Sequence, residues 1–437
     1  MLRICMIGTG YVGLVSGSCL ADFGNTVRCV DVDAGRIELL RGGGMPIYEP
    51  GLGEMVERNV SSGRLQFTTD VKAAVEQSEV IFIAVGTPSN ATGATDLSYV
   101  FKASESIAKH INGYKVIVQK STVPVGTTRE VAAMIKKHAG KDAEFDIVAN
   151  PEFLREGSAV ADFLRPNRVV IGVESERARD VMKKVYRPLY LIETPIVLTG
   201  LETAELIKYA SNAYLATKIS FINEIAAICE RVGANVDEVA KGMGLDGRIG
   251  AKFLHAGVGF GGSCLPKDVS ALAHLSGERG YEPRIIRAVL EVNAQLAMRA
   301  LDKLKAEISS LENKSIAVLG LSFKPNTDDL REAPSLKIIE LLVREKAAIR
   351  VFDPVAMDRF KETAEVGVTC CNSAYDAAEG CDALLLVTEW NEFRELDLNR
   401  LKKAMRTPVF IDCRNVYEAE RMAEHGFRYD SFGRGTL

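Results

Sequence analysis

The sequence has no apolar run long enough to cross a bilayer. Its longest apolar stretches fall short of the roughly 18 residues that a transmembrane helix needs. The N-terminus, Met1-Leu-Arg-Ile-Cys-Met-Ile-Gly, lacks the layout of a signal peptide and instead predicts a first β-strand. We therefore expect a cytoplasmic protein with no membrane partner.

The sequence also lacks a Cys-x-x-Cys pair and a strong net charge. Its nine cysteines are an odd number with one adjacent pair, Cys370-Cys371, which predicts neither a disulfide framework nor a zinc site. We expect a reducing compartment and no metal. A formal net charge of -4 gives no bulk attraction to nucleic acid, so any phosphate must be bound by local chemistry. The 437 residues, 47% of them apolar, suffice for about three domains.

A glycine-rich turn follows the first predicted strand. It reads Gly8-Thr-Gly10-Tyr-Val-Gly13, and a helical apolar pattern comes next. A second predicted strand ends at Asp31, 18 positions after Gly13. Strand, turn, helix and acid at this spacing predict a dinucleotide site, in which Asp31 accepts hydrogen bonds from a ribose. The acid favours NAD over NADP, although Arg36 is a cation that could pair with a 2′-phosphate.

Three further strands each end in a polar turn. The strands are predicted at Val80-Ile-Phe-Ile-Ala-Val, Lys115-Val-Ile-Val-Gln and Asp146-Ile-Val-Ala, and their turns contain Thr87, Thr122 and Asn150-Pro151-Glu152. Ligands bind outside the carboxyl ends of parallel strands, so these turns should border the dinucleotide crevice. In the third turn, Asn150 and Pro151 predict the start of a helix. Glu152 and Glu156 would share one face of it, where they could orient or deprotonate water.

A lone thiol, Cys264, lies in the glycine-rich segment Gly-Phe-Gly-Gly-Ser-Cys-Leu-Pro-Lys-Asp. Pro266 suits the first turn of a helix, and a helix N-terminus with the nearby Lys267 favours the thiolate. We expect Gly259, Gly261 and Gly262 to remove side chains that would block a substrate. A covalent nucleophile is one interpretation of this thiol, and a buried structural cysteine in a tight turn is the other.

One long helix is predicted from Glu202 to about Arg231, ending at Gly233. Its apolar residues cover more than one stripe, which indicates burial between two bodies or across a dimer. Lys208 and Asn212 lie one turn apart on it, where the ammonium could stabilise an oxyanion. A solvated surface lysine is the alternative interpretation of Lys208.

A second α/β unit begins after Asn313. Its strands are predicted at Lys314-Ser-Ile-Ala-Val-Leu-Gly, Ala348-Ile-Arg-Val-Phe-Asp, Ala383-Leu-Leu-Leu-Val-Thr and Pro408-Val-Phe-Ile-Asp. It lacks a full Gly-x-Gly-x-x-Gly and need not bind a second dinucleotide, while Lys324 and Arg414 offer cations for other phosphates. The predicted fold class is α/β, with two Rossmann-like doubly wound domains joined by a long central helix and a helical dimerisation region. We place the boundaries at 1–199, 200–310 and 311–437.

Several segments, taken in order, resemble the UDP-glucose/GDP-mannose dehydrogenase family over essentially the whole chain. They include the nucleotide turn, Pro-Ile-Tyr-Glu-Pro-Gly-Leu, Lys-Ser-Thr-Val-Pro-Val-Gly, Asn-Pro-Glu-Phe-Leu-Arg-Glu-Gly, Glu-Leu-Ile-Lys-Tyr-Ala-Ser-Asn-Ala, the thiol loop and Phe-Lys-Pro-Asn-Thr-Asp-Asp-Leu-Arg-Glu. The central stretch around Ala-Thr-Lys-Ile-Ser-Phe-Ile-Asn-Glu is more similar to the UDP-glucose branch. Leu265 departs from the Phe that many members of that branch have.

The resemblance implies a four-electron, NAD-dependent oxidation of a primary alcohol to a carboxylate on a nucleotide sugar, UDP-glucose. It implies that Asp268 acts through water as the base and that Cys264 attacks the aldehyde to give a thiohemiacetal and then a thioester. Hydrolysis would use water oriented by Thr122 and Glu152, while Lys208 and Asn212 stabilise oxyanions.

The resemblance also implies two sets of binding residues. The cofactor set is Gly8, Gly10, Tyr11, Val12, Gly13, Asp31, Arg36, Thr87, Thr122, Glu156, Lys267 and Arg331. The substrate set is Phe153, Leu154, Glu156, Lys208, Asn212, Arg248, Phe253, Gly257, Gly261, Phe323, Lys324 and Arg414. Arg248 would reach into the neighbouring subunit of a homodimer or higher homo-oligomer.

Other functions stay open at this point. The same chemistry could act on GDP-mannose or UDP-N-acetylmannosamine. A two-electron 3-hydroxyacid dehydrogenase would share the first domain and a Lys-x-x-x-Asn helix but would not need Cys264, and an NAD-sensing binding protein would need neither the thiol nor the Lys208-Asn212 pair.

Overall fold

The computed structural model describes residues 1–90, 92–141, 143–363 and 367–434. The chain divides into two compact units, one comprising Met1–Ser211 and the other beginning at Asn212. The last three residues of the predicted third domain, 435–437, lie outside the described residues.

The first unit is built on an eight-stranded sheet within the described residues, in the order β3-β2-β1-β4-β5-β6-β7-β8. Its strands are β1 (Arg3–Ile7), β2 (Thr26–Val30), β3 (Leu65–Thr68), β4 (Val80–Ile83), β5 (Tyr114–Gln119), β6 (Glu144–Ala149), β7 (Val169–Val173) and β8 (Ile196–Thr199). The pairs are parallel except β6 with β7, and Ile4 is in register with both Val27 and Val80. The order of the first six strands is that of a dinucleotide-binding fold.

Helices cover both faces of this sheet. They are α1 (Tyr11–Asp22), α2 (Ala34–Arg41), α3 (Leu52–Ser61), α4 (Val71–Glu76), α5 (Ser98–Ala108), α6 (Thr127–His138), α7 (Ala159–Leu164) and α8 (Glu176–Val185). Because side chains alternate along a strand, Ile4 and Met6 enter one core while Cys5 and Ile7 enter the other. Burial on both faces explains why these strands are apolar at every position.

The second unit contains a six-stranded parallel sheet in the order β11-β10-β9-β12-β13-β14, counted over its described residues. Its strands are β9 (Ser315–Leu319), β10 (Ala348–Phe352), β11 (Val368–Cys370), β12 (Ala383–Leu386), β13 (Val409–Asp412) and β14 (Arg428–Ser431). Side chains also alternate between the two faces of this sheet: Ile316 and Val318 face one core, and Ala317 and Leu319 face the other. The four strands predicted in this region are confirmed.

The remaining helices include the long one that the sequence predicts. They are α9 (Leu201–Val232), α10 (Val236–Gly244), α11 (Leu265–Glu278), α12 (Arg284–Glu307), α13 (Pro334–Arg344), α14 (Met357–Thr363), α15 (Ala374–Ala378), α16 (Asn391–Arg394), α17 (Leu398–Ala404) and α18 (Ala419–Glu424). The division between the units falls within α9. The predicted fold class, two Rossmann-like units and a long central helix, is confirmed.

The helix predicted to start after Asn150 is wrong. Residues 150–158 form a loop and the next helix begins at Ala159, so Glu152 and Glu156 do not share a helix face. Tertiary hydrogen bonds use the side chain that was expected to cap: Asn150 Nδ2 donates to the carbonyl of Val170 at 2.7 Å. The start of α7 is capped instead by Glu49, whose carboxylate accepts from the N–H of Ala159 at 2.7 Å.

No helix among the described residues is long and apolar enough to cross a membrane. That part of the chain also holds no group of three or more His, Cys, Asp or Glu side chains able to bind a metal ion.

Candidate active site

The nucleotide turn of the first unit is shaped by three glycines with different environments. Gly8 has a φ of +101°, in the region that favours glycine. A Cβ on Gly13 would lie 1.9 Å from the carbonyl oxygen of Gly8, whereas a Cβ on Gly10 would have no atom within 4 Å. Gly13 therefore lets α1 pack on the turn, and the backbone at Gly10 is open to a ligand. Tyr11 and Val12 begin α1, whose N-terminal N–H groups suit a pyrophosphate.

Asp31 follows β2 beside this turn. Its Oδ2 accepts hydrogen bonds from the backbone N–H and the hydroxyl of Thr9, both at 2.7 Å, and Arg36 lies 3.4 Å from the same oxygen. Burial acts to raise the pKa of Asp31, but the Thr9 hydrogen bonds and the Arg36 guanidinium hold it below its usual range. Asp31 is thus an ionised acceptor suited to a ribose. Arg36 is paired with it, so the residues present fit NAD.

The turns after β4 and β5 are joined to each other. The hydroxyl of Thr87 donates to the carbonyl of Thr122 at 2.9 Å, and the hydroxyl of Ser121 donates to the carbonyl of Val85 at 2.6 Å. Because β4 and β5 are neighbouring parallel strands, both turns lie at the same sheet edge as Gly8. The structure thus brings Thr87 and Thr122 together, as expected.

A buried ion pair joins Glu152 to Lys208, with 3.0 Å between Oε1 and Nζ and about 5% of each side chain exposed. Burial acts to raise the pKa of Glu152, but the Lys208 ammonium and a hydrogen bond from the N–H of Leu154 hold it below its usual range. Lys208 is therefore not a solvated surface lysine. It shares a pocket with Thr122, lined by Gln119, Ser121, Thr122, Val123, Ala149, Pro151, Glu205 and Lys208.

The loop after β6 carries the other residues predicted in this region. The Phe153 ring lies under the guanidinium of Arg168, 3.4 Å from its centroid. Leu154 is half-buried and Glu156 is buried. The hydroxyl of Tyr11 accepts a hydrogen bond from the N–H of Gly157 at 3.0 Å, which ties this loop to the nucleotide turn.

Sequence reasoning missed three charged residues of the first unit. Glu205 is buried and accepts from the N–H groups of Gly126 and Thr128, so it anchors α9 to the N-terminus of α6. The sequence feature that could have pointed to Glu205 is its position one helical turn before Lys208. Lys120 is buried directly before Ser121, and its place at the start of the Lys-Ser-Thr-Val-Pro-Val-Gly segment was the available signal. Arg168 stacks on Phe153 and belongs to none of the segments named above.

In the second unit, Cys264 occupies the N-cap position of α11 and is half-buried, with Pro266 in the first turn as predicted. Asp268, 1% exposed, accepts hydrogen bonds from Nδ2 of Asn212 and from Nζ of Lys267, both at 2.6 Å. The structure thus joins Asn212 of α9 to Lys267 and Asp268 in the first turn of the thiol's helix. That placement favours a nucleophile over a buried structural cysteine.

The glycines around the thiol have another role than the one expected. A Cβ on Gly259 would lie 2.2 Å from Oδ1 of Asn293, one on Gly261 would lie 2.2 Å from the carbonyl oxygen of Glu332, and one on Gly262 would lie 2.7 Å from the Phe323 ring. The space beside these glycines is filled by the protein itself. They allow close packing of the loop and do not clear room for a substrate.

This packing brings several predicted substrate residues, and Arg331 of the predicted cofactor set, to the loop. Nη1 of Arg414 donates to the carbonyl of Gly259 at 3.1 Å, and the N–H of Gly262 donates to the carbonyl of Arg331 at 2.9 Å. A Cβ on Gly257 would lie 2.4 Å from the carbonyl oxygen of Cys413. Arg414, Phe323 and Arg331 therefore surround the segment that ends in Cys264.

The remaining predicted residues are more scattered. Lys324 is half-buried, with Nζ 5.6 Å from the centroid of the Phe323 ring. Phe253 has a φ of +67°, a conformation that L side chains rarely adopt. The Arg248 side chain is 90% exposed and pairs with Asp246 at 2.5 Å. The structure does not bring Arg248 to the thiol loop of its own chain.

The second sheet has its own acid at the position that Asp31 holds in the first. Asp353 follows β10, and its Oδ2 accepts from the N–H groups of Leu321 and Ser322 and from the indole N–H of Trp390. Asp353 is 1% exposed. Since these donors enclose its carboxylate, it offers no open acceptor to a second dinucleotide's ribose.

The strand order and the glycine turn of the first unit are those of a dinucleotide-binding protein, and comparison with known proteins agrees with this class. The chain matches three family models: the UDP-glucose/GDP-mannose dehydrogenase NAD binding domain over residues 2–190, the central domain over 202–295 and the UDP binding domain over 317–419. The chain belongs to the UDP-glucose/GDP-mannose dehydrogenase family, and its cofactor is NAD.

Individual relatives match along the whole chain. A UDP-glucose 6-dehydrogenase of Rhizobium meliloti is 52% identical, covering 99% of this chain and 100% of the relative, and the Bacillus subtilis UDP-glucose 6-dehydrogenase TuaD is 49% identical, covering 100% and 94%. A solved UDP-glucose dehydrogenase of Pyrobaculum islandicum superposes with a TM-score of 0.93 at 37% identity, covering 100% of this chain and 98% of that one.

Proposed function

We propose that this protein oxidises UDP-glucose to UDP-glucuronate with two molecules of NAD. The observation that carries the proposal is Cys264 at the N-terminus of α11, with the Asn212-Asp268-Lys267 cluster one turn behind it. A two-electron hydroxyacid dehydrogenase has no need of this thiol. Relatives at 52% and 49% identity that are named UDP-glucose 6-dehydrogenase support UDP-glucose over other nucleotide sugars.

The first half of the proposed reaction uses the cluster on α11. NAD, when bound, is the hydride acceptor in both oxidations. Asp268 takes the proton of the sugar's 6-hydroxyl through a water molecule, and hydrogen bonds from Asn212 and Lys267 hold its carboxyl group in place. Cys264 then attacks the aldehyde carbon to give a thiohemiacetal, whose oxidation leaves a thioester.

The second half is hydrolysis of that thioester. Thr122 and Glu152 orient a water molecule, whose oxygen bonds to the carbonyl carbon while Glu152 accepts its proton. The carbon–sulfur bond breaks and Cys264 leaves as a thiolate. Lys208 and Asn212 stabilise the oxyanions of both halves. The low pKa of Glu152 supports this role because a base must be ionised to accept a proton.

The binding residues follow the same division. We propose that NAD is bound by Gly8, Gly10, Tyr11, Val12, Gly13, Asp31, Arg36, Thr87, Thr122, Glu156, Lys267 and Arg331. The UDP-sugar is bound by Phe153, Leu154, Glu156, Lys208, Asn212, Arg248, Phe253, Gly257, Gly261, Phe323, Lys324 and Arg414. Residues 1–199 form the NAD-binding domain, 200–310 the dimerisation domain and 311–437 the UDP-sugar domain.

We also propose that the protein is at least a homodimer. On α9, Tyr214, Phe221, Ile228 and Val232 are 61%, 44%, 50% and 69% exposed, and their spacing of seven, seven and four residues places them on one side of the helix. A second copy of this helix is the partner that an exposed apolar stripe of this kind fits. The exposed Arg248 is then available to the partner's substrate.

The proposed location is the cytoplasm. The nine cysteines all lie in the described part of the chain and form no disulfide there, which suits a reducing compartment.

An assay of NAD reduction tests the function directly. With limiting UDP-glucose, we expect two NADH per sugar and UDP-glucuronate as product, and much slower reduction with GDP-mannose or UDP-N-acetylmannosamine. One NADH per substrate would indicate a two-electron dehydrogenase. A higher kcat/KM for either other nucleotide sugar would overturn the substrate assignment.

A further inference from the structure

Lys120 is a buried cation that none of the roles above uses. It follows β5 and is 4% exposed. Its Nζ lies 3.2 Å from Oδ1 and 3.3 Å from the backbone oxygen of Asn150. An ammonium in such a place costs free energy unless nearby groups compensate for it. The free-energy cost of burying this lysine at a strand end within the candidate site suggests that its charge has a role there.

The groups around Lys120 come from four elements. The hydroxyl of Tyr186, at the end of α8, is 3.5 Å from Nζ, and the Phe163 ring of α7 has its centroid at 6.0 Å. The charged groups acting on it are Glu152 from the loop after β6 and Lys208 from α9. Burial lowers the pKa of Lys120 to about 8, with Glu152 opposing and Lys208 adding to this effect. The side chain therefore carries its charge at neutral pH.

Lys120 acts on Glu152 in two ways. It binds the backbone oxygen of Asn150, two residues before Glu152, and so fixes the start of the loop that carries the carboxylate. Its charge also contributes to lowering the pKa of Glu152. The first effect is transmitted through the backbone of the loop, and the second acts through space.

We propose that Lys120 is a positioning residue for thioester hydrolysis, whose ammonium holds the Asn150-Pro151-Glu152 turn in place and keeps Glu152 ionised to accept the proton of the attacking water. The inference rests on the proposed function. A second cation is needed because Lys208, the direct partner of Glu152, is also assigned to the oxyanion. A charge that does not contact the reacting atoms acts on Glu152 throughout the step.

The test compares Lys120→Met with Tyr186→Phe. Lys120→Met removes a charge and two hydrogen bonds to Asn150, one to Oδ1 and one to the backbone oxygen. Tyr186→Phe removes one hydrogen bond, from the Tyr186 hydroxyl to Oδ1 at 2.5 Å, and no charge. The measurement is the pH dependence of the decay of the covalent Cys264 adduct, followed by acid quenching and mass spectrometry. The decay rate should fall at low pH as Glu152 becomes protonated. This acid limb of the pH profile should disappear in Glu152→Gln, which identifies Glu152 as the group that titrates.

Removing the ammonium favours the neutral carboxyl, so the acid limb in Lys120→Met should move to higher pH by about one unit. At pH values well below the wild-type midpoint the adduct should decay about tenfold more slowly, while the rate of NADH formation in the first oxidation stays unchanged. Tyr186→Phe should keep the wild-type midpoint. An unshifted midpoint in Lys120→Met, or an equal shift in both variants, would overturn the proposal.

Lys120→Gln covers the case in which Met at this position prevents folding. It keeps a donor for Asn150 but is neutral, so the same upward shift is expected. If neither variant folds, as judged by circular dichroism, the ammonium serves the fold and the proposal fails. Absence of any adduct in the wild-type protein would instead count against the proposed function.

Discussion

Gly13 lies so close to Gly8 that a Cβ on Gly13 would stand 1.9 Å from the Gly8 carbonyl oxygen. Gly10, between them, has nothing within 4 Å of the same position and a φ of -68° that any residue can adopt. Gly13 is therefore needed for the packing of the turn, whereas the space beside Gly10 is open, as the proposed NAD site requires.

Substituting each with alanine should separate these purposes. Gly13→Ala should destabilise the protein by about 1–3 kcal/mol, because the turn must move to admit the methyl group. Gly10→Ala should change stability by less than about 0.5 kcal/mol yet weaken NAD binding about tenfold or more, which is about 1.4 kcal/mol. Urea unfolding and calorimetric titration with NAD measure the two effects. Equal loss of stability in both variants would contradict this division.

The ion pair of Asp31 with Arg36 predicts the cofactor preference. Asp31→Ala should lower kcat/KM for NAD and raise it relatively for NADP, because it removes the ribose acceptor and releases Arg36 to bind a 2′-phosphate. Adding Arg36→Ala should cancel the gain with NADP while leaving the loss with NAD. Steady-state kinetics with both cofactors decide this, and a wild-type preference for NADP would show that Asp31 has been misassigned.

The position of Cys264 predicts a trapped intermediate. Cys264→Ser should still bind UDP-glucose but lose turnover by several orders of magnitude. Because an alkoxide is a poorer leaving group than a thiolate, an ester on the introduced serine hydroxyl should accumulate and be visible by intact-mass spectrometry. Cys413→Ser, a buried thiol outside the proposed chemistry, is the control. NADH production that continues undiminished in Cys264→Ser would exclude covalent catalysis.

The buried pair of Glu152 and Lys208 predicts strong coupling. Glu152→Gln should lower the free energy of unfolding by about 3–5 kcal/mol, because it leaves an uncompensated buried ammonium, and the double variant Glu152→Gln/Lys208→Met should recover much of this loss. The folded-state pKa of Glu152 is lowered, so its contribution is present above the ordinary Glu pKa and is lost as pH falls through the folded value. Urea unfolding at several pH values gives both quantities. Additive losses would show that the pair is not coupled.

The exposed Arg248 predicts complementation between subunits. Arg248→Ala should raise the KM for UDP-glucose far more than that for NAD, because the lost charge binds the sugar nucleotide. Mixed dimers of Arg248→Ala and Cys264→Ser chains should regain activity, since one site then combines an intact thiol with an intact arginine. Mixed dimers no more active than either parent, or a fully active monomer by light scattering, would rule out the shared site.

The sequence alone determined the main features of the protein. Strands apolar at every position, glycines at fixed offsets and an acid 18 residues beyond Gly13 are local patterns, because the alternation of side chains and the geometry of a tight turn act over a few residues. The sequence also predicted that the thiol lies at a helix N-terminus, because the fixed φ of Pro266 suits the first turn of a helix.

Tertiary structure decided the rest. The loop at Asn150 has the sequence of a helix start, but hydrogen bonds with distant Val170, Tyr186 and Lys120 take up the Asn150 side chain and override that preference. The glycines before Cys264 signal only close approach, and the fold determines that the neighbour is protein. The burial of Lys120 and Glu205 was missed for the same reason, because burial and ion pairing depend on which distant segments of the chain meet.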